Sequence, residues 1–153
     1  MPRIKLKECQ FYEFKYNKML LASDINYGGH LGNDRLVTIL HDARLYFLKE
    51  LNFTELDLGD GKTGIIMQDL AVNYKKEGQL YDNLTILSHI DEFTNFSFRI
   101  FHKIIRNDDL IALAETGMVT FDYDSHSMIE VPEIFINSYH SYLKMQNNEI
   151  NFN

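Results

Sequence analysis

The chain has 153 residues, of which 45% are hydrophobic, and its net charge is −7. This length and apolar content are typical of one globular domain over residues 1–153 and exclude a disordered chain. The negative charge excludes non-specific nucleic-acid binding, which needs clustered Lys and Arg side chains.

Cysteine use and apolar runs limit the class of protein further. Cys9 is the only cysteine, which excludes an intrachain disulfide and a cysteine-based zinc site. Charged residues interrupt the N-terminal segment, and no apolar run approaches the length that spans a membrane. We therefore expect a cytoplasmic protein that does not bind membranes.

The first third of the chain predicts one strand and one long helix. Aromatic and apolar residues from Phe11 to Ala22 favour a strand, bent near Asn17. The helix is predicted from Asp34 to about Leu51, because apolar residues recur there at helical spacing: Leu36, Ile39, Leu40, Ala43, Phe47 and Leu48.

A polar segment, "DINYGGHLGND" at residues 24–34, separates the strand from the helix. Asn33 or Asp34 is the predicted N-cap, because a short side-chain oxygen accepts hydrogen bonds from the first free amides of a helix. Asn52 is predicted to help end the helix, and a glycine-rich loop follows to Gly64. Capping alone does not explain three glycines and a histidine in one loop.

The rest of the chain predicts an antiparallel sheet and a terminal helix. A turn at residues 106–109 joins two strands, and Pro132 opens a shorter helix from Glu133 to about Met145. The pattern predicts an α+β fold with the long helix on one sheet face, and a second copy is a natural cover for the sheet edges. The predicted strands cover residues 65–75, 84–90, 96–106 and 110–123.

Three motifs in the first half resemble the hotdog-fold acyl-CoA thioesterases, in particular the 4-hydroxybenzoyl-CoA thioesterase-like branch. That branch has an Asp-x-Asp pair, then Gly-His-Val-Asn-Asn, then a helix with an acidic residue followed by Ala-Arg. This chain has Asp24 and Asn26, then Gly-His-Leu-Gly-Asn at 29–33, then Asp-Ala-Arg at 42–44. It departs from the branch at Asn26, where the second Asp is usual, and at Gly32.

The second half continues the resemblance from about residue 72. The segment "VNYKKEGQLYDNL" resembles the branch's strand and Gly-Asp turn, with Tyr81 in place of that Gly, beside Asp82. "TGMVTFDYD" and "VPEIF" resemble its closing strand and terminal helix. The resemblance implies a hotdog fold, in which an antiparallel sheet wraps around a long central helix and a short C-terminal helix follows.

The resemblance implies hydrolysis of an acyl-CoA or acyl-carrier-protein thioester by a homodimer or homotetramer. The candidate catalytic residues are Asp24, Asn26, His30 and Asp42. An amide cannot act as a carboxylate nucleophile or base, although it can orient water or hydrogen-bond the thioester. The work of the missing carboxylate therefore passes to Asp24, His30 or Asp42.

Candidate substrate-binding residues lie at the helix start and at the end of a strand. Helix amides without partners can hydrogen-bond an oxyanion, and glycines let a substrate approach the backbone. Lysines suit the phosphates of coenzyme A, which is expected only as part of the substrate, with no separate cofactor and no metal. The candidates are Gly28, Gly29, Gly32, Asn33, Asp34, Lys75 and Lys76, with Arg99, His102, Lys103 and Arg106 as further cations.

Structural roles and other functions stay open at this point. Asp24 and Asn26 can hold the loop, His30 can fill a polar corner, and Asp42 can pair with His41, Arg44 or a partner subunit. Two other functions are possible. The first is an (R)-specific enoyl-CoA hydratase, whose Asp-x-Asn-Pro-aliphatic-His motif resembles Asp24, Asn26 and His30, except that this chain lacks the Pro and has its His one residue later. The second is a non-catalytic acyl-CoA-binding module.

Overall fold

The computed structural model describes residues 4–150, with helices and strands in the predicted order. β1 is shorter than predicted, because a 3-10 turn at Ala22–Asp24 takes over after it. β6 was not predicted, and α2 continues past the predicted end at Met145. Neither helix in this range has the length and apolar character needed to cross a bilayer. The elements are β1 Phe14–Met19, α1 Asn33–Glu50, β2 Thr63–Tyr74, β3 Asn83–Asp91, β4 Ser97–Arg106, β5 Asp109–Asp122, β6 Ser127–Met128 and α2 Glu133–Ile150.

The strands form one antiparallel sheet in the order β1-β3-β4-β5-β2, with β6 paired to β5. The predicted turn between β4 and β5 is present, and Asn107 adopts a left-handed conformation there, with φ of 52°. In the described chain β1 pairs only with β3, and β2 pairs with β5 alone. Both outer strands therefore leave one row of backbone groups without a strand partner.

Helix α1 lies against one face of this sheet. Its buried side chains follow the predicted spacing, with Arg44 added to the apolar set. The Arg44 guanidinium is paired with Glu55, to which His41 is also hydrogen-bonded at 2.9 Å. Partial burial opposes ionisation of Glu55, but these two partners outweigh it and lower the pKa of its carboxyl. The buried residues of α1 are Leu36, Ile39, Leu40, Ala43, Arg44, Phe47 and Leu48.

The two ends of α1 differ from each other in how well they were predicted. Gly32 is the N-cap and no side chain caps the helix, so the prediction of Asn33 or Asp34 as N-cap is wrong. Asn33 is already helical, and the Asp34 carboxylate turns back toward Gly32 and lies 3.5 Å from the Arg35 guanidinium. At the other end Asn52 has φ of 63°, the left-handed conformation that ends helices, as predicted.

A buried carboxylate ties α2 to the sheet. The Glu13 side chain is 2% exposed and accepts hydrogen bonds from the Ile90 amide at 3.0 Å and the Tyr139 hydroxyl at 2.7 Å. Its other oxygen lies 2.8 Å from Nδ1 of His89. Burial lowers the pKa of His89, but hydrogen bonding to Glu13 and the charges of Glu13 and Asp91 outweigh burial and raise it. Protonated His89 therefore stabilises the fold.

This raised pKa predicts that stability falls as the pH rises above the ordinary histidine value of 6.5. Because the folded-state pKa of His89 lies above the ordinary 6.5, its contribution is complete below that pH and is lost as the pH rises through the folded value. Urea unfolding across this range should show a free energy of unfolding that falls with pH, and His89→Gln should flatten the slope. His140→Gln, at an exposed site, is the control; an equal slope in both variants would contradict the prediction.

Candidate active site

Asp24 anchors the start of the polar loop from inside the protein. It is 7% exposed, and its carboxylate accepts a hydrogen bond from the Leu21 amide at 2.8 Å. The Lys18 ammonium lies 3.6 Å from the same oxygen, and the Asp24 carbonyl accepts from the Gly32 amide at 3.0 Å. These bonds fix both ends of the loop relative to each other. The structure thus gives Asp24 a loop-holding position.

Asn26 closes the loop into a tight turn. Its Oδ1 accepts hydrogen bonds from the Gly28 amide at 2.9 Å and from the His30 amide at 3.4 Å. Its backbone amide donates to the His30 carbonyl at 2.9 Å, and its carbonyl accepts from the Gly29 amide at 3.0 Å. Gly29 has φ of 82°, a conformation that side chains disfavour. Asn26 therefore determines the path of the chain from residue 26 to residue 30.

His30 contacts the loop through one ring nitrogen, and the other nitrogen lies on the Gly28 side of the ring. Nδ1 lies 3.4 Å from Nδ2 of Asn26 and 3.3 Å from the Leu31 carbonyl oxygen. Nε2 has no hydrogen-bond partner among residues 4–150. A β-carbon placed on Gly28 would lie 3.0 Å from this nitrogen. A side chain at position 28 would therefore crowd Nε2, and glycine avoids this contact.

The first backbone amides of α1 are the free donors of this region. The amides of the loop glycines are used within the loop, by Asn26 and Asp24. The first helix-entry bond runs from the Leu36 amide to the Gly32 carbonyl, and no described residue accepts from the amides of Asn33, Asp34 and Arg35. Free amides at a helix N-terminus carry partial positive charge. These amides can donate hydrogen bonds to a developing oxyanion, whereas the glycines, which have no side chains, let a ligand approach the backbone.

A pocket of about 310 Å³ opens beside the helix start. Its far wall is the segment after β2, joined to the loop by a hydrogen bond from the Leu31 amide to the Gly78 carbonyl at 2.9 Å. Four predicted site residues meet here, and five others complete the lining. The nine are His30, Leu31, Asn33, Tyr74, Lys75, Lys76, Glu77, Gly78 and Ile111.

The two pocket lysines differ in their charge partners. The Lys76 ammonium is paired with Asp109, and together with Arg106 it lowers the pKa of the Asp109 carboxyl. Lys75 has no ion pair within the described residues, although its backbone amide donates to the Ile111 carbonyl at 2.8 Å. Lys75 is thus the cation of the pair that is available to an anionic ligand.

The other predicted cations do not line this pocket. Arg99 is held by Asp69 at 2.6 Å and by Glu115 at 3.3 Å, across the sheet. Lys103 is paired with Glu8, and Arg106 with Asp82 at 2.6 Å. His102 is buried against Ser88, and burial lowers its pKa to about 3. The expectation that these four extend a basic groove is not met in the single chain.

Asp42 also lies outside the pocket lining. It is half-buried on α1, and no described residue pairs with it, because His41 and Arg44 both pair with Glu55. The sequence did not indicate the other five lining residues, which are Leu31, Tyr74, Glu77, Gly78 and Ile111. The available signal was Gly78, two residues after Lys76, because a glycine there indicates a turn close to the predicted ligand cations.

Comparison with known proteins places this site in a family. A model of the thioesterase-like superfamily matches residues 20–137, which include the loop, the helix and the pocket wall. The chain belongs to the thioesterase-like superfamily. This membership confirms the resemblance that the sequence motifs indicated. It also supports the prediction that the protein is a thioester hydrolase. A comparison with curated protein sequences finds no significant match.

Solved structures share the fold of this superfamily member at low sequence identity. The 1,4-dihydroxy-2-naphthoyl-CoA thioesterase Slr0204 from Synechocystis superposes with a TM-score of 0.74 at 15% identity, over 82% of this chain and 93% of that one. The DHNA-CoA thioesterase from Staphylococcus aureus gives 0.74 at 19% identity, over 89% and 93%. The gentisyl-coenzyme A thioesterase BH1999 gives 0.73 at 21% identity, over 82% and 98%. The predicted hotdog fold is confirmed.

Proposed function

We propose that the protein hydrolyses acyl-CoA thioesters at the pocket beside the start of α1. The observation that carries the proposal is that one pocket is lined by both His30 and Asn33, the first helical residue, whose backbone amide has no acceptor among the described residues. Water attacks the thioester carbonyl carbon, charge develops on the carbonyl oxygen, and the carbon–sulfur bond then breaks. The water proton ends on the departing thiolate, so the products are a free acid and a thiol.

The proposed roles follow from what each group can reach. The Asn33 amide hydrogen-bonds the developing oxyanion, and His30, which lines the same pocket, hydrogen-bonds the reacting group. Asp24 and Asn26 hold the loop in place. Asp42 does not line this pocket, but it is half-buried and has no ion-pair partner among the described residues, so it is the proposed carboxylate for activating water in the pocket of a partner subunit. Coenzyme A enters only as part of the substrate.

An acyl-CoA panel tests this function directly. Short, long and aromatic acyl-CoA thioesters are incubated with the protein, and released thiol is measured by a chromogenic disulfide. The proposal expects thiol release above background for at least one acyl group and much less with His30→Ala. Absence of turnover across the panel overturns it. Crotonyl-CoA that loses its double-bond absorbance without releasing thiol would instead indicate a hydratase, and stabilisation without turnover a binding module.

Lys75 is predicted to bind a phosphate of coenzyme A. Lys75→Ala should raise KM for acyl-CoA about fivefold, on the order of 1 kcal/mol for an exposed charge pair, with little change in kcat. Lys76→Ala should raise KM less, because Asp109 already holds that ammonium. The matching S-acyl-N-acetylcysteamine, which has the thioester but no phosphate, should show no effect of Lys75→Ala. Equal effects on both substrates would contradict the prediction.

We further propose a homodimer or homotetramer built on the free edge of β2. This edge exposes Ile66 and Met67, which are 39% and 41% accessible in the single chain. Unpaired strand edges with apolar side chains favour pairing with another strand, and an antiparallel edge pairs with its own copy about a two-fold axis. Light scattering tests the assembly, and a monomer at micromolar concentration would exclude it. The cytoplasmic location stays a prediction from the sequence.

A further inference from the structure

We infer that Asn26 holds the ring hydrogen of neutral His30 on Nε2, so that His30 donates a hydrogen bond to the thioester oxygen and does not take a proton from water. Asn26 is in this account a positioning residue that acts through His30. The inference rests on the proposed function for its chemistry, but the position of the hydrogen is a property of the protein without substrate.

The orientation of the Asn26 amide is fixed by its neighbours. Oδ1 accepts from the amides of Gly28 and His30, at 2.9 and 3.4 Å. The reversed orientation would turn an NH₂ group toward two N–H donors, which is unfavourable. Nδ2 therefore faces Nδ1 of His30, 3.4 Å away, and Nδ2 can only donate.

A donor facing Nδ1 favours the tautomer in which Nδ1 is the acceptor. The Leu31 carbonyl oxygen, 3.3 Å from Nδ1, favours the other tautomer, because a carbonyl oxygen can only accept a hydrogen bond from that nitrogen. In that case the Asn26 amide and the ring would present hydrogens to each other. With the hydrogen on Nε2, Asn26 keeps a partner, and Nε2–H, which has no partner among residues 4–150, stays available to a ligand in the pocket that His30 lines.

The start of α1 supports a donor role over a basic one. A base becomes an imidazolium, and the pocket places that charge beside Asn33, at the positive end of the helix dipole. Asn26 supplies no negative charge to compensate, as a carboxylate at this position would. A neutral ring that donates from Nε2 develops no cation, and a neutral histidine at a helix N-terminus is a known way of polarising a carbonyl.

The test is the replacement Asn26→Asp, which changes a single group. The aspartate keeps an oxygen for the Gly28 and His30 amides and substitutes an oxygen for the NH₂ that faces Nδ1. Two-bond ¹H–¹⁵N spectra at alkaline pH, where the ring is neutral, report which nitrogen carries hydrogen, and His30→Gln assigns the signals. We expect hydrogen on Nε2 in the natural protein and on Nδ1 in Asn26→Asp. Hydrogen on Nδ1 in the natural protein, or no change in the variant, overturns the inference.

Activity provides a second readout. At the same alkaline pH, Asn26→Asp should lower kcat about tenfold or more with little change in KM, as expected for a lost transition-state donor. Asn17→Asp adds the same charge on β1, beside Thr85 and away from the pocket, and should leave kcat unchanged. An active Asn26→Asp with hydrogen on Nδ1 overturns the donor role. The spectra need no turnover, so failure of the acyl-CoA panel is a separate result.

Discussion

Replacement of His30 by alanine is expected to lower kcat for acyl-CoA hydrolysis about a hundredfold or more. Removal of one preorganised donor to an oxyanion has effects of this size. The His30 side chain is half-buried at the pocket. Its hydrogen bonds within the described loop are the two long ones made by Nδ1, at 3.4 and 3.3 Å. The bonds between Asn26 and the backbone of residue 30 persist in the variant, so the loop path should survive.

The measurement is thiol release under saturating substrate, with the thermal midpoint as a check on folding. His41→Ala is the matched control, because His41 lies on α1 outside the pocket and contacts Glu55. It should retain kcat close to that of the natural protein. A His30→Ala enzyme with more than half of the original kcat would remove His30 from the chemistry.

The largest effect on stability is expected for Phe47→Ala. Phe47 is 1% exposed, and its ring stacks on Phe14 with 4.7 Å between centroids. Phe14 in turn stacks on Tyr142 of α2 at 4.9 Å. Loss of this ring creates a cavity between α1, β1 and α2. Truncation of a fully buried Phe costs about 3–5 kcal/mol of unfolding free energy.

Urea unfolding measures this loss, with Leu45→Ala as the control on the same helix. Leu45 is 43% exposed, so its truncation should change the free energy of unfolding by about 0.5 kcal/mol or less. Similar losses in the two variants would show that the ring stack does not join the helices to the sheet as described.

The sequence predicted the elements well because their signals are local. The apolar spacing in α1 and the strand alternation after Gly64 reflect which face is buried, and burial is what the structure shows. The N-cap was missed because Gly32 can occupy that position without any side-chain bond, and Asn33 and Asp34 have equally suitable side chains. Composition at a helix start does not choose between adjacent positions.

The candidate site was predicted only on the side that is continuous in sequence. The loop and helix start lie within eleven residues, whereas Tyr74 and Ile111 reach the pocket from the paired strands β2 and β5, and Gly78 through its hydrogen bond with Leu31. The cations show the same limit. Arg99 is paired with Asp69 of β2, which lies thirty residues earlier in the chain. No local sequence pattern in either segment predicts that ion pair. Contacts between distant strands depend on register, which one sequence leaves undetermined.

The bond between the Leu31 amide and the Gly78 carbonyl has a consequence for engineering this enzyme. The segment that carries Lys75 is hydrogen-bonded to Leu31, the residue before the N-cap of α1, so under the proposed function carrier binding and the position of the oxyanion donor depend on each other. A graft of residues 75–82 from a relative would therefore alter turnover together with affinity. Under the same proposal, acyl preference is better altered by substitutions at Tyr74 and Ile111, which line the pocket from β2 and β5.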